Sequence, residues 1–261
     1  MRWPVTIIFS LTLSVLAEQS PLNLVVTEGV WKGAGVNDVK AILSSTGRDL
    51  WKFSSDQKLK PIIVTNGADG PIVFYQRGPN GEYRVRLDTG QQFWSQYAYQ
   101  FAHELCHIMC HYTEGDKSNH WFEESLCECA SIFTLREMSK TWEKQPPFSN
   151  WKDYRKSLAR YALDRIEEHR LPEGQSLDAW YKTHSAYLRE NATDRAKNST
   201  VATELLKIFE EKPSRWGAVA YLNEGRTDKP VSFATYLTNW RTHCPDEYKE
   251  TVDCIRGLFV E

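Results

Sequence analysis

The sequence predicts an α+β fold, with a small β-rich lobe over about residues 18–115 followed by a helical lobe over about residues 116–261. Three observations predict it. Short β-rich runs separated by glycine turns crowd the first third of the chain. From Gln91 onward the spacing is almost wholly helical, punctuated at Pro146-Pro147, Pro172, Pro213 and Pro230. A strongly patterned helix around His103 joins the two regions, so residues 18–261 read as one domain.

The N-terminus carries one charge at Arg2, an apolar run from Val5 to Leu16 and the small residue Ala17. This is a signal-peptide pattern over residues 1–17. The run is shorter than the about 20 apolar residues a membrane span needs, so no membrane association is expected after cleavage. Export implies a secreted or periplasmic location, where six cysteines make disulfides plausible. Cys244 and Cys254 close a short loop and are the best candidate pair. Asn191-Ala-Thr193 and Asn198-Ser-Thr200 are glycosylation sequons in a eukaryotic secretory setting. Net charge is −2 with mixed signs throughout, which argues against nucleic acid and anionic surfaces as partners.

Leu22–Thr27 reads as a strand. Val36–Lys52 follows with helical spacing through Val36, Val39, Leu43 and Leu50. Pro61–Thr65, Ile72–Tyr75 and Tyr83–Leu87 are three further β-rich runs, divided by turns at Asn66-Gly67 and Pro79-Asn80-Gly81. In the last run Tyr83, Val85 and Leu87 alternate with Arg84, Arg86 and Asp88, giving one buried face and one wet one.

The next helix is expected over roughly Gly90–Thr113, from a Thr89/Gln92 capping box to a stop at Gly115. Phe93, Tyr97, Phe101, Leu105, Ile108 and Tyr112 form its apolar stripe, widened by Trp94, Ala98 and Met109. His103-Glu104-Leu105-Cys106-His107, an H-E-x-x-H pattern, lies off that stripe. Residues four apart stack on one helix face, so both imidazoles reach one zinc ion. Glu104 sits one step round, placed to take a proton from a water on the metal.

A second helix begins near Asn119, with Phe122, Leu126, Cys129 and Phe133 on its core stripe. Glu124 and Glu128, four apart, share the other face. Glu124 would complete a His-His-Glu set with water as fourth ligand, the composition of a catalytic zinc site. Glu128 would accept the outer N–H of a ligand histidine. Glu123 is the rival ligand, but four residues after it stands Cys127 rather than a carboxylate.

His103-Glu104-x-x-His107 followed by Trp121-Phe122-Glu123-Glu124-Ser125-Leu126-Cys127-Glu128 resembles the gluzincin zinc metallopeptidases: thermolysin-like enzymes, aminopeptidase N-like enzymes and minigluzincins. The resemblance covers roughly Tyr83–Ser131. It departs from the clan in a shorter His107-to-Glu124 spacing, in glutamate at 123 and in serine at 125. It implies a zincin-like fold, a peptide or protein substrate, and Glu124 and Glu128 as third ligand and outer carboxylate. It also implies an edge strand just before the metal helix, for which Tyr83–Asp88 stands in the right place, and an oxyanion-stabilising residue from the helical lobe. Tyr187 lies about where the aminopeptidase-like enzymes carry theirs, with Tyr181 and His184 as rivals.

The remaining residues receive plainer readings. Cys106, Cys110, Cys127 and Cys129 are expected to be buried thiols or a bridge between the two helices rather than a second metal site. His111 is expected to face the helix C-terminal dipole. The ten tryptophans are scattered at helical core spacing, against a carbohydrate-binding face. The expectation is an exported zinc peptidase, with a non-catalytic or latent zinc protein of the same fold as the alternative. The segment from Cys244 to the C-terminus is the conjectured cover of the cleft.

Overall fold

Alternating β-branched and aromatic residues build a four-stranded sheet from β1 (Leu24–Val26), β2 (Ile62–Asn66), β3 (Ile72–Val73) and β4 (Tyr83–Leu87), ordered β1-β2-β4-β3. The computed structural model describes residues 22–29, 31–54 and 58–259, so the signal-peptide expectation lies outside the described residues. The first three strands in that order are parallel, with Leu24 opposite Ile62 and Val64 opposite Val85. The crossover between β1 and β2 is α1 (Val36–Trp51), which buries Val39, Ile42, Leu43 and Leu50.

β3 is antiparallel to β4 and forms the edge. This corrects the expectation for Tyr83–Asp88. The chain leaves β2, lays β3 on the outside and returns through a turn at Gly78–Gly81. There the Gly78 N–H donates to Glu82 O at 2.9 Å, and Gly81 takes φ 86°, which glycine adopts without strain. β4 therefore lies inside, with Tyr83, Val85 and Leu87 buried as the alternation requires.

The motif helix, α2 (Trp94–Met109), is shorter than expected at both ends. Thr89 Oγ1 bonds Gln96 Oε1 at 2.9 Å instead of capping, and Gln91 has φ 53°, outside helical space. Phe93 precedes the helix and is 56% exposed, so it drops out of the stripe. At the other end His111 adopts φ 51° and the Tyr112 N–H returns to His107 O at 3.2 Å. That left-handed residue terminates the helix ahead of Gly115. The rest of the stripe is buried.

α3 (His120–Thr141) is the central element. It packs against α1, α2, α4 (Arg155–His169) and α6 (Arg195–Glu211), and most residues from Trp121 to Leu135 are buried whichever way they point. Glu123 and Glu128 are consequently enclosed between helices rather than set on a wet face. α5 (Leu177–Glu190), a 3₁₀ segment (Pro213–Tyr221), α7 (Phe233–His243) and α8 (Asp246–Gly257) complete the helical part. One contiguous core joins sheet and helices. None of the described tryptophans is exposed.

All six cysteines are free, which corrects the expected pair. The Cys244 thiol faces Ala218 O at 3.8 Å, whereas Cys254 lies 4.0 Å from Arg215 Nη2, so the two point at different neighbours. The sequon at Asn198 is closed as well. Asn198 is 1% exposed and its Nδ2 donates to Ala192 O at 2.8 Å, leaving no free amide nitrogen to modify. No described helix is long and apolar enough to cross a membrane.

Candidate metal centre

α2 and α3 cross so that each presents a pair of polar side chains four residues apart to the other: His103 and His107 from α2, His120 and Glu124 from α3. The Glu124 carboxylate lies between the inner ring nitrogens, with Oε2 3.2 Å from His103 Nε2 and Oε1 3.6 Å from His107 Nε2. Each outer nitrogen faces a different carboxylate. His107 Nδ1 is 2.8 Å from Glu123 Oε1, and His103 Nδ1 is 3.6 Å from Glu128 Oε1. Both outer carboxylates are themselves held. Asn223 Nδ2 donates to Glu123 Oε2 at 3.0 Å. The Tyr99 hydroxyl donates to Glu128 Oε2, and Arg195 Nε stands 3.3 Å from Glu128 Oε1.

The electrostatics follow from four enclosed carboxylates around two imidazoles. Burial lowers the His107 pKa, but Glu124, Glu123 and Glu104 outweigh it and push it up to about 10. The same contest raises His103. Burial works to raise Glu124, yet His107, His103 and His120 hold it well below the usual carboxylate range. Glu123 is lowered in the same way by His107. Glu104 goes the other way: burial raises it, only partly offset by the two histidines and by a hydrogen bond from the Val73 backbone N–H. Val73 alternates with Phe74, whose own N–H is spent on Arg84 O, so the polar groups of Val73 point off the sheet edge toward the site.

These residues line an open cleft of about 360 Å³, walled by Pro71–Val73 and Tyr75 on the sheet side and by Thr193, Arg195 and Asn198 from the start of α6. The structure brings His103, Glu104, His107, Glu124 and Glu128 together there. Tyr187 does not join them. α5 turns Leu177, Trp180 and Leu188 inward, leaving Tyr187 45% exposed beneath Lys197, whose Nζ lies 4.4 Å from the ring centroid. The rivals are no closer: Tyr181 stacks on Trp121 at 5.3 Å and His184 on Trp180 at 4.3 Å, and neither lines the cleft. Among the described residues neither His111 nor any residue from Cys244 onward lines the cleft, which corrects the conjectured C-terminal cover as far as residue 259.

His120 and Tyr75 are among the lining residues that escaped the sequence reading. His120 Nε2 approaches Glu124 Oε1 at 3.0 Å, and its spacing of four from Glu124 was the available signal. Tyr75 follows the edge strand, where only folding brings it opposite α3. Cys127 forms a second donor group with His103 and His107, the three ligand atoms lying within 4.8 Å of one another. That thiol is fully buried and absent from the cleft lining, so it approaches from the core side. None of the known protein families, characterised proteins or solved structures compared with this chain matches it.

Proposed function

We propose that this protein is an exported zinc-dependent peptidase, with His103, His107 and Glu124 as metal ligands and Glu104 as general base. One observation carries the reading. Two imidazoles and a carboxylate converge in an open cleft, with both outer imidazole nitrogens facing carboxylates. Such outer partners fix the ring tautomer and raise ligand basicity. The donor set suits the ion. With both imidazoles neutral as ligands, four enclosed carboxylates against Arg195 beside Glu128 and Arg226 4.0 Å from Glu123 still leave a negative surplus that a divalent cation would neutralise. Two nitrogens plus one oxygen with an open position is the composition of catalytic zinc. Glu124 is preferred to Cys127 because it touches both inner nitrogens from the side that a substrate can reach.

Bound zinc would supply a Lewis acid that polarises the scissile carbonyl. Glu104, with its pKa raised by burial, takes a proton from the attacking water and delivers it to the departing amine. The Val73 N–H is already spent on Glu104, and the Val73 carbonyl offers a main-chain acceptor to an extended peptide. With Tyr187 outside the cleft lining, Tyr75 is a cleft residue whose hydroxyl offers a side-chain donor toward a developing oxyanion. The resemblance to gluzincins fits this reading, as does an antiparallel edge strand beside the metal helix. The non-catalytic alternative draws on Tyr187 standing outside the cleft lining, and the open cleft speaks against it.

Digestion of a diverse peptide mixture, read by mass spectrometry, tests the reading. Wild-type protein should cleave, and Glu104→Gln should bind one zinc but cleave about 10²–10⁴-fold more slowly. Zinc binding without cleavage by either protein would leave the non-catalytic alternative. If neither appeared, the two-helix centre would be wrong.

A further inference from the structure

Beyond His103 the cleft continues into a smaller recess of about 60 Å³, bounded by Tyr99 and Gln100 on α2, Tyr161, Arg165 and His169 on α4, and Arg195 on α6. Pro71, His103 and Arg195 line both spaces, so the recess opens onto the metal centre. Two guanidiniums and an imidazole meet there against two carboxylates. Arg195 Nε is 3.3 Å from Glu128 Oε1, Arg165 Nη2 is 2.6 Å from Glu168 Oε2, and His169 Nε2 is 3.8 Å from the same Glu168 oxygen. Glu128 is already shared with Tyr99 and His103, and Glu168 is 52% exposed on the outer side.

The donors exceed these acceptors. Each guanidinium carries five N–H groups in a fixed fork. Arg165 Nε is buried with no partner, its guanidinium carbon 5.6 Å from the Tyr161 ring centroid. The Arg195 side chain is 64% exposed and the Arg165 side chain 34%, so their remaining N–H groups are open to water that an acceptor in the recess would replace. The acceptor that matches a planar fork is a carboxylate, and a space of this size admits one, since about 10–15 Å³ already holds a water.

We propose that Arg165, His169 and Arg195 form a carboxylate-binding subsite, selecting peptides that carry an acidic side chain or a free C-terminal carboxylate beside the scissile bond. This rests on the peptidase reading. The subsite gives the cleft polarity: one end is the apolar edge at Ile72 and Val73, and the other is cationic.

The test uses zinc-loaded protein and peptide pairs that differ as Glu against Gln at successive positions, each with a free or an amidated C-terminus. Wild type should favour the carboxylate-bearing member by about tenfold in kcat/KM, carried by KM. Arg165→Gln should bring that ratio near one while cleaving neutral peptides as before, and Arg165→Lys should retain part of it. A preference that follows Glu against Gln assigns the subsite to a side chain, and one that follows amidation assigns it to the C-terminus. Equal cleavage of all pairs by wild type, or an unchanged ratio in Arg165→Gln, overturns the subsite and leaves the peptidase reading standing. If nothing is cleaved, the peptidase reading fails instead. Calorimetric titration with acetyl-Ala-Glu against acetyl-Ala-Gln-amide then decides the subsite, and indistinguishable binding overturns it.

Discussion

The interface between α2 and α3 carries side chains of metal-ligating type on both of its sides, and the two sides differ in kind. Toward the cleft stand His103, His107 and Glu124, with Glu123 and Glu128 behind them. Toward the core stand Cys106, Cys110, Cys127 and Cys129, all fully buried. The thiols answer one another. Burial pushes the Cys106 thiol up, but hydrogen bonds with Cys110 and Cys127 bring it well below the usual thiol range, while burial and Cys106 push both partners up. The three thiols are thus coupled to one another deep in the core. The cleft side has carboxylates to spare and an opening. Donor count alone does not distinguish the two sides. Charge balance and access do.

The comparison breaks most sharply at the shared ligand. Glu124→Gln is expected to lower zinc affinity by more than the about 100-fold that loss of an outer partner costs, whereas Cys127→Ser should change it less than about twofold. Competition against a chromogenic chelator measures both. The reverse ranking would move the metal to the core side, as the His103, His107 and Cys127 grouping allows.

The outer carboxylates come next. Glu123→Gln and Glu128→Gln should each weaken zinc by about 10–100-fold without abolishing one-to-one binding. Glu123 should cost more. It lies closer to its histidine, at 2.8 Å against 3.6 Å, and a glutamine there leaves Asn223 and His107 competing for one oxygen. Equal affinities for wild type and both variants would show that the enclosed carboxylates serve packing alone.

Much of this side was legible in the chain. The i, i+4 spacing of His103 and His107 places two nitrogens on one face without any tertiary information. Local β patterning located all four strands, and β4 falls on Tyr83–Leu87 as read. What escaped was decided by long-range packing. The order β1-β2-β4-β3 depends on where the chain lays β3, which no residue in Ile72-Val73 encodes. The ends of α2 were set by Gln91 and His111, two non-glycine residues with positive φ, against a capping box and a glycine that local rules favour. The enclosure of Glu123 and Glu128 was not legible, because α6 and α4, which pack on α3, lie far along the sequence. Tyr187 was placed by analogy of order, and helix phase put it outside the cleft.

The smallest effect separates a ligand from a residue that orients one. His120 reaches Glu124 Oε1 at 3.0 Å, close enough to be taken for a fourth ligand. Its outer nitrogen argues otherwise: His120 Nδ1 is buried with no partner, whereas those of His103 and His107 each face a carboxylate. A histidine without that support is the poorer ligand and the better hydrogen-bond donor, here fixing the Glu124 carboxylate through one oxygen. His120→Gln retains an N–H and should bind zinc nearly as wild type does, and His120→Phe should lose about tenfold, the low end of the cost of an outer partner. Cobalt substitution provides a second readout, because the intensity of the visible bands follows coordination number. Were His120 a ligand, both variants would change the cobalt spectrum; as an orienting donor, it leaves the spectrum of His120→Gln as it was.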